Sequence, residues 1–221
     1  MNLPRFRPVH TLLIGLILLA LYGSLTVGVQ RHLLFVDSDR RISDKLHEHA
    51  VAHPEVAATF KGVTTLSERR QIWLEGGSGL LILAILRRWR WLAVWAGMLA
   101  GVFVGRQLKA LLDRARPVFD DPILKESTSS FPSGHAVGSM LIFGALLYFL
   151  WNQWPRVRGL SAPLLALLIL AIGFSRVYLG LHWPTDVLGG YLFGLGWLLA
   201  AIGLVNAVAE RRAGSASASG G

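Results

Sequence analysis

The sequence predicts an all-α fold: a bundle of six transmembrane helices with a short interfacial helical segment between helices 1 and 2. Three observations carry that reading. Of the 221 residues 53% are hydrophobic and 16% charged. The apolar residues gather in six runs near the length that crosses a hydrocarbon core of about 30 Å. The arginine-rich segments between runs fall on one side of such a bundle, and nearly all the acidic residues on the other.

The runs lie near 10–29, 71–86, 91–112, 136–153, 160–179 and 187–209. The first follows Arg5 and Arg7, has the length of a full span and is not followed by a small-x-small cleavage site, so it reads as an uncleaved helix. Residues 30–70 form the longest polar stretch, in which Ile42, Leu46, Val56, Phe60 and Val63 recur at roughly helical spacing. An interfacial helix there acts as a lid or lipid-entry element, or simply connects the spans; the sequence leaves both open. The second run is the weakest, since it is short and starts on Glu75, but Gly76, Gly77 and Gly79 suit close helix approach. The tail 214–221, made of Gly, Ser and Ala, reads as a disordered end or an appended scar, which leaves residues 1–213 as one membrane domain.

Charge sets the orientation. Arg5, Arg7, Arg87, Arg88, Arg90, Arg156, Arg158, Arg211 and Arg212 share one side, which marks it as cytoplasmic and puts both termini there. Every Asp and Glu except Glu210 falls on the other side. A net charge of +9 raises the question of nucleic acid, but the basic residues sit in short clusters between apolar runs, where topology and anionic headgroups account for them, and no soluble basic domain is present. The chain has no cysteine, which excludes disulfides, thiolate metal sites and cysteine nucleophiles.

Three segments at outer helix ends carry reactive side chains. Lys109 and Arg116 lie seven residues apart, about two helical turns, so both are expected on one face of the third helix before Pro117 stops it. Phe131-Pro132-Ser133-Gly134-His135 precedes the fourth run, where the first amides of a helix lack partners and attract anions. Ser133 there either caps the helix or donates to a phosphate oxygen, and Gly134 lets a ligand approach the backbone. In the third segment His182 and Asp186 are about one turn apart, with Pro184 in a first-turn position, so the carboxylate is placed to orient the imidazole. Lys109, Arg116 and Arg176 neutralise phosphoryl oxygens, His182 attacks phosphorus, and His135 protonates the leaving oxygen and then activates water.

Together these segments resemble the signature of the type 2 phosphatidic acid phosphatase family, related to glucose-6-phosphatase and vanadium haloperoxidases: K-x6-R-P, P-S-G-H and S-R-x5-H-x3-D. Every fixed position is matched, by Lys109, Arg116 and Pro117, by Pro132, Ser133, Gly134 and His135, and by Ser175, Arg176, His182 and Asp186. The match covers about residues 100–190. The resemblance implies a metal-independent, cofactor-free phosphatase with His182 as nucleophile, in a bacterial inner membrane with its site facing outward. It also implies a lipid substrate such as undecaprenyl diphosphate, phosphatidylglycerol phosphate, phosphatidic acid or a lipid A phosphate. A non-catalytic anionic-lipid binder or transporter, and a vanadate-dependent peroxidase, are the rival readings; whether the chain forms a homodimer is left open.

Other candidates are set aside. His47, His49 and His53 read as part of a polar, solvated segment rather than a metal site. Asp113, Asp120 and Asp121 are not needed as metal ligands where three cations already supply positive charge. Arg106 and Arg114 read as interfacial anchors rather than contacts to a second phosphate.

Overall fold

The computed structural model describes residues 7–31 and 35–218, and among them the chain is helical without strands. Arg5 and the tail residues Ser219–Gly221 lie outside the described residues. The helices are α1 (Pro8–Gln30), α2 (Val36–Ala52), α3 (Pro54–Thr65), α4 (Arg69–Ile85), α5 (Trp89–Leu112), α6 (Gly134–Gln153), α7 (Arg158–Tyr178) and α8 (Pro184–Ala218).

Five helical stretches are long and apolar enough to cross a membrane: Pro8–Gln30, Trp89–Leu112, Gly134–Gln153, Pro155–Tyr178 and Pro184–Ala213. The second expected run forms α4, but its 17 residues include two arginines and Glu75, which keep it below that standard. Long stripes of large apolar side chains face outward, as in Leu160, Leu164 and Leu167 on α7 and Leu13, Leu16 and Ile17 on α1. Side chains at this spacing line one face of a helix, and so much exposed hydrocarbon is stable only against lipid.

Helix α8 is the hub, packed against α1, α5 and α6. Its contact with α1 is backbone to backbone: a Cβ built on Gly15 would lie 2.5 Å from the Ala200 amide nitrogen, and one on Gly203 would lie 2.6 Å from that of Leu12. Gly76 and Gly79 of α4 instead seat the Leu99 and Trp95 side chains of α5, and Gly77 meets nothing. Helix α8 runs on to Ala218. Extending an existing helix adds one hydrogen bond per residue fixed, and no proline stops it.

The single interfacial helix expected in 30–70 is two helices, broken where His53 precedes Pro54 and leaves helical geometry at φ −129° and ψ 72°. It is more than a connection. Leu46, Val56 and Phe60 pack with Ala50 and Ala57 against Tyr178, Leu179 and Leu181, at the end of α7. The α2–α3 pair therefore forms a platform against the end of the bundle at which the sequence motifs meet.

Candidate active site

Local chain geometry delivers His182. Helix α7 ends at Tyr178, and Gly180 follows with φ +72°, a left-handed conformation that suits glycine. The Gly180 amide donates to the Val177 carbonyl and that of Leu181 to the Arg176 carbonyl, both at 3.0 Å, the paired bonds of a Schellman termination. The turn reverses the chain so that His182 is buried beside α8, whose first turn carries Asp186.

The His182–Asp186 pair forms as the spacing predicts. His182 Nδ1 lies 3.2 Å from Asp186 Oδ2, and both residues are fully buried. The same carboxylate oxygen accepts from the Trp183 amide at 2.8 Å and from the Ser130 hydroxyl. With Nδ1 facing the carboxylate, the proton belongs there, and the Nε2 lone pair faces Arg116 Nη1 at 3.2 Å. Burial, with Lys109, Arg116 and Arg176 adding to it, holds the His182 imidazole well below its usual pKa, so it stays neutral.

Arg116 is brought to the site, but not from a helix. The expectation that it shares a helical face with Lys109 is corrected: α5 ends at Leu112, Asp113 turns left-handed at φ 39°, and Arg116 lies on the irregular segment 113–133. A residue before proline avoids helical geometry, so the stop comes ahead of Pro117 rather than at it. Arg116 Nη2 donates to Glu126 Oε2 at 2.6 Å and its Nε to the Thr128 carbonyl at 2.6 Å, while Nη1 also donates to the Leu181 carbonyl at 2.5 Å. Arg176, buried on α7, donates through Nη1 to Thr64 Oγ1 at 2.9 Å and through Nη2 to Glu126 Oε1. Lys109 lies within electrostatic reach of Arg116, Arg176, Glu126 and Asp186.

The Ser133-Gly134-His135 turn adds donors. Ser133 occupies the N-cap of α6 yet makes no side-chain capping bond, and its buried hydroxyl has no partner among the described residues. Nothing lies within 4 Å of where a Gly134 Cβ would stand. His135 Nε2 and Arg176 Nε are likewise buried without a partner. Buried polar atoms are almost always paired, so three unpaired ones from the predicted motifs mark a place built to receive a polar ligand.

Several residues here were not identified from sequence. Arg114, read as an interfacial anchor, instead donates to Asp186 Oδ1 at 2.5 Å, to Thr185 Oγ1 at 2.8 Å and to Asp39 Oδ2 at 2.9 Å. Asp39, on α2, also accepts from the Thr185 amide at 3.0 Å. Glu126 bridges Arg116 and Arg176; burial would raise its pKa, but the two guanidiniums hold it down at about 2. Ser130, beside the second motif, and Thr64 complete the set. Arg106 takes no part in the hydrogen bonds of this network.

The histidines of α2 are not solvated as a group. His47 is buried, stacked on Phe119 with ring centroids 3.8 Å apart and bonded to Asp121 at 2.9 Å. His49 bonds the Tyr178 hydroxyl at 2.8 Å and stacks on His53 at 4.0 Å. Asp121 thus ties the 113–133 segment to the platform.

A model of the PAP2 superfamily matches residues 90–210. Phosphatidylglycerophosphatase B of Bacillus subtilis is 36% identical over 110 residues, covering 46% of this chain and 54% of that protein. Undecaprenyl-diphosphatase of Sulfolobus acidocaldarius is 30% identical over 132 residues, covering 57% of this chain and 60% of that one. The chain thus spans little more than half the length of these two relatives. The crystal structure of a transmembrane PAP2-type phosphatidylglycerolphosphate phosphatase from Bacillus subtilis is similar with a TM-score of 0.70 at 27% identity, over 89% of this chain and 96% of that one.

Proposed function

The chain belongs to the PAP2 superfamily and is an integral membrane protein, and from that premise we propose that it is a lipid phosphatase acting through a phosphohistidine on His182. One observation carries the reading. His182 Nδ1 is held by Asp186 at 3.2 Å, while its Nε2 faces Arg116 among the cations that would hold phosphate.

In the proposed reaction Nε2 of His182 forms a bond to phosphorus as the bond from phosphorus to the lipid oxygen breaks, and His135 gives its proton to that oxygen. Asp186 stabilises the positive imidazole of the intermediate. His135 then takes a proton from water, whose oxygen bonds to phosphorus while the P–N bond breaks, releasing phosphate and restoring His182. Lys109, Arg116, Arg176 and the Ser133 hydroxyl neutralise the phosphoryl oxygens, the role a metal plays elsewhere. The relatives' names support a phosphatidylglycerol phosphate or an undecaprenyl-type diphosphate as substrate.

The α4 helix serves as the sixth span. It starts at the site end, where Ser67 Oγ donates to the His135 carbonyl at 3.1 Å, and packs antiparallel along α5 through Gly76 and Trp95. Lipid contact for Leu81, Ile82 and Ile85, each more than half exposed, supports this. Arg87, Arg88, Arg90, Arg156 and Arg158 then gather at the opposite end from the site, which supports cytoplasmic termini and an outward-facing site in a bacterial inner membrane.

Purified protein in detergent with EDTA should release phosphate from undecaprenyl diphosphate or phosphatidic acid, and the His182→Ala protein should not. Equal release by the two proteins, or release abolished by EDTA, would overturn the mechanism.

A further inference from the structure

Arg116 and Arg176 share one charged acceptor. Glu126 places one carboxylate oxygen on each guanidinium, with Oε2 2.6 Å from Arg116 Nη2 and Oε1 on Arg176 Nη2. The other acceptors of Arg116 are neutral: the carbonyls of Thr128, Leu181 and Ser129, the Thr128 hydroxyl and His182 Nε2. Glu126 is also the exposed member, with 33% of its side chain open against 10% for Arg116 and 3% for Arg176. It stands on the irregular 113–133 segment, so leaving costs no helix.

A phosphoryl group seeking both guanidiniums must take the place of this carboxylate. We propose that Glu126 is an internal counter-anion that fills the phosphoryl subsite of the free protein and sets an affinity threshold every incoming anion must pass. The threshold is the same for all anions, because each displaces the same carboxylate. Its effect is selective nonetheless. A terminal phosphate monoester carries about −1.5 to −2 charge at neutral pH and more free oxygens than a diester. It therefore repays the exchange, whereas a singly charged phosphodiester headgroup trades one monoanion for another and gains little. Phosphodiester lipids surround any membrane enzyme at high density, and Glu126 keeps them from occupying the site. Displacement also frees Arg116 to turn onto the phosphate, which uncovers the His182 Nε2 lone pair only when a ligand is present. This inference rests on the phosphatase reading for the identity of the anion that wins.

Binding tests it without requiring turnover. Inorganic phosphate and dioctanoyl phosphatidylglycerol are titrated by calorimetry into the purified full chain and into Glu126→Gln. Both dissociation constants should fall in the variant by a similar factor, about tenfold, and phosphatidylglycerol should become a competitive inhibitor of the variant at levels the wild type ignores. Unchanged or weaker phosphate binding by Glu126→Gln would overturn the proposal, since it would make the carboxylate a support that positions the arginines. Should that variant not fold, Glu126→Asp, one methylene too short to bridge both guanidiniums, must show the same direction of change, and unchanged constants there overturn it equally. Tighter binding without phosphate release from any lipid would overturn the phosphatase reading alone; release with unchanged constants would overturn the counter-anion alone.

Discussion

Arg114 and Arg116 stand two residues apart on the same irregular segment and meet opposite fates. Arg114 is clamped between Asp39 and Asp186, whose side chains are 3% and 0% exposed. Arg116 shares Glu126, 33% exposed, with Arg176. The charges are alike and the distances similar, so burial separates them. A buried ion pair that loses one partner strands the other charge away from water, while a carboxylate at the surface regains its hydration on release. The first assembly is a scaffold that holds Asp186, and through it His182; the second is an exchangeable anion site. His182 joins them, with Nδ1 served by the scaffold and Nε2 facing Arg116 of the anion site.

The largest expected effect is at that junction: His182→Ala should lower phosphate release at least about a thousandfold, and retention of a tenth of the activity would rule out the nucleophile. Next comes the comparison itself. Arg114→Met should cost about 3–5 kcal/mol of stability, whereas Arg116→Met should cost only about 1 kcal/mol and act mainly through substrate binding. Thermal denaturation in detergent separates the two, and equal losses would erase the distinction between scaffold and anion site. Ser133→Ala should leave stability within about 0.5 kcal/mol of wild type, because no cap is lost, and raise KM roughly tenfold; a loss of about 1 kcal/mol without a KM change would restore the cap.

The smallest effect is an absence of titration. The folded His182 pKa lies well below the usual 6.5, so 15N spectra should show a neutral imidazole from pH 8 through 6. The sign follows from proton uptake. The contribution of neutral His182 to stability is complete above the unfolded pKa and is lost as pH falls below it, where the unfolded chain binds a proton the folded site refuses. Glu126, at about 2 in place of 4.5, likewise contributes fully above 4.5 and loses that contribution as pH falls toward 2. Stability measured between pH 7 and 8 should therefore be insensitive to both groups.

The nearness of His182 to Asp186 was legible because a four-residue spacing at the start of a helix constrains it locally. The apolar runs likewise announced the long helices. Asp39 was not legible: it is 146 residues from Thr185 in sequence, and nothing in the composition of α2 indicates which helix end it meets. Glu126 and Arg114 were missed for a related reason, since the segment that carries them has no periodicity from which to read direction. The helical placement of Arg116 failed because a spacing of seven is also available to an irregular chain. The fourth helix was legible in position, though its glycines and charges dilute the apolar signal.

The close seat of α1 on α8, where a Cβ at Gly15 would fall 2.5 Å from the Ala200 amide, has a meaning for biogenesis. Translation delivers α1 well ahead of α8, so the glycine face of α1 is uncovered while α2 to α7 are made. The helix that ends the wait carries Asp186 in its opening turn. Seating of α1 and orientation of the His182 imidazole thus depend on one later arrival, and a nascent chain still short of α8 holds its histidine without the carboxylate that orients it.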